Sequence, residues 1–195
     1  MVLATKGGLR KQGDDLVRDS SPLWLRQGLE SSLRALGTDY IDLYQLHWPV
    51  PQTPFGETAN ALDSFVREGK IGYVSVSNFD ASQMAAFERT RKIDTLQPPY
   101  DLFRRDAEEA IFPYCIEHGI SVLIYGPLAH GLLTGKYNAE AVFPATDWRS
   151  KSELFRSENA AAQRRGRAQT RSLRRGSRGW APPAGDRLDA CESGR

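Results

Sequence analysis

Apolar, β-branched and aromatic runs recur through the first two-thirds of the chain: "VLAT" (2–5), "IDLYQL" (41–46), "IGYVSVS" (71–77), "DTLQ" (94–97) and "ISVLIY" (120–125). They show little alternation of polar and apolar positions, the pattern of parallel strands covered on both faces. Helical patterns lie between them. Ser21 and Pro22 open the first, Leu25, Leu29, Leu33 and Leu36 form its apolar stripe, and Gly37 closes it. Leu62, Phe65 and Val66 belong to a second, which ends before Gly69. Asp80 and Gln83 have capping-box spacing and open a third that buries Met84 and Phe87. Asp106 and Glu109 open a fourth, which Pro113 is expected to kink and Gly119 to end.

The predicted order is β-α-β-α-β-α-β-α-β, with strand starts 23 to 39 residues apart. Such alternation implies an α/β fold with a parallel sheet, either doubly wound or a (β/α)8 barrel. No GxGxxG follows a strand, which weakens the dinucleotide-binding doubly wound alternative. "GLLTGKY" (131–137) is one residue short of a phosphate loop, and Tyr137 stands where a metal-binding hydroxyl is needed.

Past Phe155 the pattern stops. Residues 157–195 contain no Val, Ile, Phe or Tyr, and only Leu173, Trp180 and Leu188 as large apolar groups. This predicts a folded region over 1–155 and a disordered tail over 156–195, because so little apolar surface cannot offset chain entropy. Charge divides at the same place. Residues 1–155 carry 16 Lys+Arg against 20 Asp+Glu, whereas 156–195 carry 10 Arg against 4 acidic residues. No apolar run approaches the roughly 18 residues of a membrane span. The start "MVLATKGGLR" is unlike a signal peptide. Cys115 and Cys191 are isolated, which argues against a metal site and for a reducing, cytoplasmic location.

Parallel α/β folds carry their sites at the C-terminal ends of the strands. Here those ends hold Lys6, His47, Ser77 with Asn78, Gln97, and Tyr125 with Gly126. Each has a plain structural reading: a hydrogen-bonded histidine, a solvated lysine, a turn-capping asparagine, a core tyrosine. Five successive strands ending this way form a constellation. His118 reads as a cation at a helix C-terminus and His130 as a loop residue, neither with a chemical role.

In series, "TK" (5–6), "DLYQLHWP" (42–49), "GKIGYVSVSNF" (69–79), "QPPYDLF" (97–103) and "YGPLAHGLLTGKY" (125–137) resemble the aldo-keto reductase family. The resemblance runs from residue 2 to about 137. It implies a partial (β/α)8 TIM barrel holding strands three to seven of the family's eight. It also implies reduction of a small carbonyl, or oxidation of an alcohol, by hydride transfer with NADP(H), NAD(H) being the alternative. His47 is then expected to orient the carbonyl and Lys6 to lower the pKa of a catalytic tyrosine. Ser77, Asn78 and Gln97 are expected to hold the nicotinamide carboxamide and Tyr125 to stack on its ring. The backbone of Gly126, Leu128 and Gly131 is expected along the pyrophosphate, and Trp48 as an apolar wall of the substrate pocket.

The family's catalytic tyrosine and the aspartate paired with its lysine precede the "TK" segment, and Met1 lies only five residues ahead of Lys6. Tyr44 points to the opposite face of its strand from His47, and neither Tyr40 nor Tyr100 is placed to substitute. A helix, the eighth strand and a basic adenosine-phosphate segment are also missing beyond the seventh strand. The sequence therefore predicts impaired activity in a chain truncated at both ends, with two open sheet edges and a frameshift near 155–160. Alternatives are a selected basic tail that binds nucleic acid or acidic surfaces, a non-catalytic cofactor-binding or interaction fragment, and an unstable product.

Overall fold

The computed structural model describes residues 1–134, 142–152 and 155. The predicted tail, 156–195, lies outside the described residues. The chain divides into two compact units, Met1–Ala129 and His130–Arg195.

The first unit is built on a five-stranded parallel sheet: β1 (Ala4–Gly7), β4 (Ile41–Leu46), β5 (Ile71–Ser77), β6 (Thr95–Gln97) and β7 (Ser121–Val122), in that spatial order. Each predicted strand is present, the first shifted by two residues and the last two with shorter bounds. The first begins at Ala4 rather than residue 2, although Leu3 already accepts a bond from the Leu43 N–H at 3.1 Å. The last stops at Val122. Beyond it the Leu123 N–H still donates to the Leu96 carbonyl at 2.9 Å, and the chain meets its neighbour again at a bridge from Pro99 to Tyr125, the X-Pro run at 98–99 interrupting the neighbouring strand. Between β1 and the first helix lies an antiparallel hairpin absent from the predicted order, β2 (Leu9–Gln12) with β3 (Asp15–Arg18). Its two-residue loop is Gly13-Asp14, with Gly13 at φ 62°.

Helix α1 (Pro22–Leu36) starts where expected: the Ser21 hydroxyl accepts from the Trp24 N–H and Pro22 takes the first turn. Gly37, left-handed at φ 65°, ends it. Leu25, Leu29 and Leu33 are buried, but Leu36 is 47% exposed and does not extend the stripe. α2 (Phe55–Arg67) buries Leu62 and Phe65. α3 (Ala81–Glu88) has a complete capping box and buries Met84 and Phe87. The fourth helix differs from expectation. Asp106–Glu108 is a separate 3-10 turn, and α4 runs Ile111–His118. Pro113 thus falls in the first turn, where its missing N–H costs no helical bond, and it ends nothing. Gly119 caps α4 at φ 66°.

Right-handed crossovers between neighbouring parallel strands put the helices on one face. Tyr44, Val74 and Val76 point to that face and join Leu25, Leu62, Phe65 and Phe87 in the core. Tyr44 meets Phe65 edge-on at 6.4 Å. The opposite face is polar where the sequence suggested cover on both sides. Lys6, Gln45, Ser75 and Thr95 stand side by side in register across four strands. The Gln45 amide donates to the Ser75 hydroxyl at 3.0 Å, and the Thr95 hydroxyl donates to it at 2.6 Å. Ser75 in turn donates to the Thr95 carbonyl at 3.0 Å. Gln45 and Ser75 are 3% and 0% exposed, so these bonds are what makes a polar layer tolerable there. Such layers of inward side chains are the filling pattern of a (β/α)8 barrel.

In the second unit, Trp148–Lys151 forms a 3-10 turn capped by Asp147. The Trp148 ring packs edge-on against His130 at 4.8 Å and Phe155 at 6.1 Å. Among the described residues, no helix is long and apolar enough to cross a membrane.

Candidate active site

One strand register above the polar layer, the C-terminal ends of β4, β5 and β6 bring His47, Ser77 and Gln97 to the same face. His47 follows β4, and its N–H donates to the Gly7 carbonyl at 3.0 Å, which holds the end of β4 against β1. Lys6 lies inside β1 rather than after it, beside Gln45. Burial lowers its ammonium pKa, and no ion pair or hydrogen bond engages it among the described residues. Burial is also the main cause that lowers the His47 pKa; the charges of Lys6 and then Arg18 lower it further. The imidazole is accordingly neutral at pH 7 and can donate one N–H while its other nitrogen accepts.

Asn78 ties three strand ends together. It is left-handed at φ 63°, a conformation that asparagine tolerates better than most residues. That turn aims its side chain back across the sheet. Its Nδ2 donates to the His47 carbonyl at 3.0 Å and to the Ser77 hydroxyl at 3.1 Å, and its Oδ1 accepts from the Tyr125 hydroxyl at 2.8 Å. Ser77 donates to the Gln97 carbonyl at 2.8 Å. Burial raises the Tyr125 pKa, so its hydroxyl keeps the proton it gives to Asn78; the Arg104 charge opposes this weakly. The Gln97 side-chain amide makes no hydrogen bond among the described residues. It offers one donor and one acceptor group, the complement of a primary carboxamide. The donor set therefore fits a nicotinamide.

The structure thus brings His47, Ser77, Asn78, Gln97 and Tyr125 together, with Lys6 one layer lower. Gly126 follows Tyr125 at φ 72° and its carbonyl accepts from the Ala129 N–H at 2.8 Å; Leu128 is 56% exposed in this turn. Gly131, at φ 102°, belongs to the second unit. Trp48 lies beside His47, ring centroids 6.5 Å apart and planes within 14°.

Two features escaped the sequence reading. One is the Gln45–Ser75–Thr95 layer, whose signal was the i, i+2 spacing of Gln45 with His47 and of Ser75 with Ser77. The other is Arg18 at the end of β3, whose guanidinium carbon lies 4.1 Å from the Trp48 ring centroid. The Gly-Asp step between two short mixed runs was the hairpin signal.

Among the described residues no tyrosine hydroxyl hydrogen-bonds the His47 side chain, and the Tyr125 hydroxyl is engaged by Asn78. Tyr44 is fully buried on the helix face, donates to the Leu25 carbonyl at 3.4 Å, and has its pKa raised by that burial. Tyr100 donates to Glu108 instead. Among the described residues there is also no cluster of side chains able to hold a metal ion.

Comparison with known proteins agrees with this geometry. The chain is 42% identical over 155 residues to the aldo-keto reductase YhdN of Bacillus subtilis (strain 168), covering 80% of this chain and 47% of that protein. It is 37% identical over 147 residues to the NADH-specific methylglyoxal reductase of Escherichia coli (strain K12), covering 73% of this chain and 45% of that protein. Among solved structures, the glycerol dehydrogenase AKR11B4 from Gluconobacter oxydans superposes with a TM-score of 0.83 at 39% identity, covering 90% of this chain and 55% of that one. The holo aldo-keto reductase AKR11C1 from Bacillus halodurans gives a TM-score of 0.63 at 34% identity, covering 75% and 48%. The chain spans about half the length of the curated relatives it matches. The model of the Aldo/keto reductase family matches residues 1–175. With five parallel strands in barrel order and the expected polar residues at their C-terminal ends, the chain belongs to the aldo/keto reductase family, whose members are oxidoreductases that use nicotinamide cofactors.

Proposed function

We propose that this chain carries the cofactor-facing and carbonyl-facing surface of an NADP(H)-dependent reductase of small carbonyl compounds. The observation that carries the reading is Asn78, which joins the His47 carbonyl, the Ser77 hydroxyl and the Tyr125 hydroxyl in one network. The network fixes the positions at which a nicotinamide and a carbonyl would meet, and positioning is most of what hydride transfer asks of a protein.

A bound nicotinamide supplies the hydride. The free amide of Gln97, with Ser77 and Asn78, would hold its carboxamide, and the Tyr125 ring would pack against it. Gly126 and Leu128 supply backbone for the pyrophosphate. The neutral His47 imidazole donates its N–H to the carbonyl oxygen and orients it. Trp48 excludes water on one side. The Lys6 ammonium adds positive potential where negative charge develops on that oxygen. In the family, the lysine acts on a tyrosine. Among the described residues no tyrosine hydroxyl hydrogen-bonds the His47 side chain, and that of Tyr125 is given to Asn78, so proton delivery is assigned to none of them and turnover by this chain is proposed to be slow. The same observation favours a second reading, a cofactor-binding member without turnover. A buried free Cys115, whose thiol pKa burial pushes up to about 11, suits a reducing cytoplasm.

Titration of the chain with NADPH and NADH, followed by quenching of cofactor fluorescence, tests the surface. Tighter binding of NADPH that weakens at least about tenfold in Gln97→Ala, a loss on the scale of paired amide hydrogen bonds, is expected. An unchanged affinity in that variant refutes the placement. Consumption of NADPH with an aromatic aldehyde, abolished in His47→Ala, separates the reductase from the binding module.

A further inference from the structure

We propose that Arg18 is a specificity-determining residue: with Trp48 it forms a receptor for an anionic group, so that the site at His47 takes small aldehydes or ketones that bear a carboxylate or phosphate. The inference rests on the reading of His47 as the carbonyl contact and adds the chemical class of substrate.

Arg18 is the last residue of the unpredicted hairpin, at its base rather than its tip. That base is pinned. The Asp19 N–H donates to the Gly8 carbonyl at 3.0 Å, and the Trp24 indole donates to the Leu9 carbonyl at 3.1 Å. The guanidinium lies over the Trp48 ring, and the Trp48 ring adjoins His47. The guanidinium carbon sits 4.1 Å from the ring centroid, and its N–H donors, unengaged among the described residues, are available for a two-pronged contact with an oxyanion. Among the described residues, Arg18 makes no ion pair and no hydrogen bond. The neighbouring carboxylate is committed elsewhere: Asp19 pairs with Arg10 at 3.3 Å and accepts from the Ser21 N–H and hydroxyl at 3.0 and 2.7 Å. The positive charges of Lys6 and Arg18 both act on the His47 ring. The indole beside Arg18 is the neighbour of that ring, 6.5 Å between centroids.

The test uses the full chain with NADP+ present, so that no ketone is consumed, and follows the Trp48 indole and His47 imidazole resonances by NMR. Two pairs of ketones differ in charge: pyruvate against butane-2,3-dione, and dihydroxyacetone phosphate against dihydroxyacetone. The charged member of at least one pair is expected to bind at least about tenfold tighter, the scale of one charge-assisted hydrogen bond. The pair that shows the advantage names the anion as carboxylate or phosphate. Arg18→Met, which keeps a stem on the indole, should erase that advantage and leave the neutral ketones unchanged, while Arg18→Lys should keep part of it. Equal affinities within both pairs overturn the inference alone. So does an Arg18→Met variant that weakens charged and neutral ketones alike, because Arg18 is then only a prop for Trp48. If no ketone moves either resonance, the reading of His47 falls together with the inference.

Discussion

Ser75→Ala tests whether the polar layer beneath His47 holds the sheet together. The Ser75 hydroxyl accepts from the Gln45 amide at 3.0 Å and from the Thr95 hydroxyl at 2.6 Å, and donates to the Thr95 carbonyl at 3.0 Å. Alanine removes all of these. The Thr95 residue is partly exposed and can turn its hydroxyl to water, but Gln45 is 3% exposed and its amide nitrogen has no other partner among the described residues. A buried donor left unpaired costs about 1–3 kcal/mol, and each ordinary bond contributes about 1 kcal/mol net. The expected loss is therefore about 2–3 kcal/mol. Urea unfolding followed by circular dichroism should show a lower midpoint with an unchanged slope. Adding Gln45→Leu removes the stranded amide, so the double variant should be more stable than Ser75→Ala alone by about 1 kcal/mol. A single-variant loss under about 0.5 kcal/mol, or a double variant less stable than the single, would refute the claim that the layer is held by its own hydrogen bonds.

Gly7→Ala would set a methyl 2.1 Å from the hydroxyl oxygen of Tyr44, which is fully buried; an overpacking loss of about 1–3 kcal/mol is expected in the same unfolding assay. His47 should titrate below the ordinary histidine value of 6.5 in an NMR pH series, and Lys6→Met should raise its pKa only partway, because burial remains as the larger cause. The unfolded chain takes up that proton first. Stability should therefore fall as the pH drops from 6.5 towards the lower folded value, then level off below it. Tyr125→Phe removes the donor to Asn78 Oδ1 and should weaken NADPH binding about threefold to tenfold in a fluorescence titration, from the loss of one hydrogen bond. Native iodoacetamide labelling should leave the Cys115 peptide unmodified by mass spectrometry, since that thiol is 1% exposed and its pKa is pushed up to about 11.

Much of the fold was legible because it is written in local patterns. Apolar runs at strand length mark β4 and β5. Ser21-Pro22 with Gly37 bounds α1, and Asp80 with Gln83 opens α3. Each of these signals acts within a few residues of the structure it specifies. The strand-end residues His47, Ser77, Asn78 and Gln97 were legible for a related reason. In a parallel α/β sheet every strand presents its C-terminal end on the same side, so order along the chain predicts proximity in space.

What the sequence left undecided depends on contacts between distant segments. Pro113 reads as a kink in a helix opened at Asp106 until tertiary packing starts α4 at Ile111 and puts the ring in the first turn. Gln45, Ser75 and Thr95 read as three separate polar residues. They become one hydrogen-bonded layer only when the register of β4, β5 and β6 is set, and register comes from the burial of whole strand faces against the helices. Arg18 and Trp48 are 30 positions apart, and nothing local says that a hairpin folds one over the other. The sequence by itself determined the five parallel strands, their order along the chain and the family. The tertiary structure decided which polar side chains meet, because a hydrogen bond or a stacked cation needs ångström-scale placement that only the packed sheet supplies.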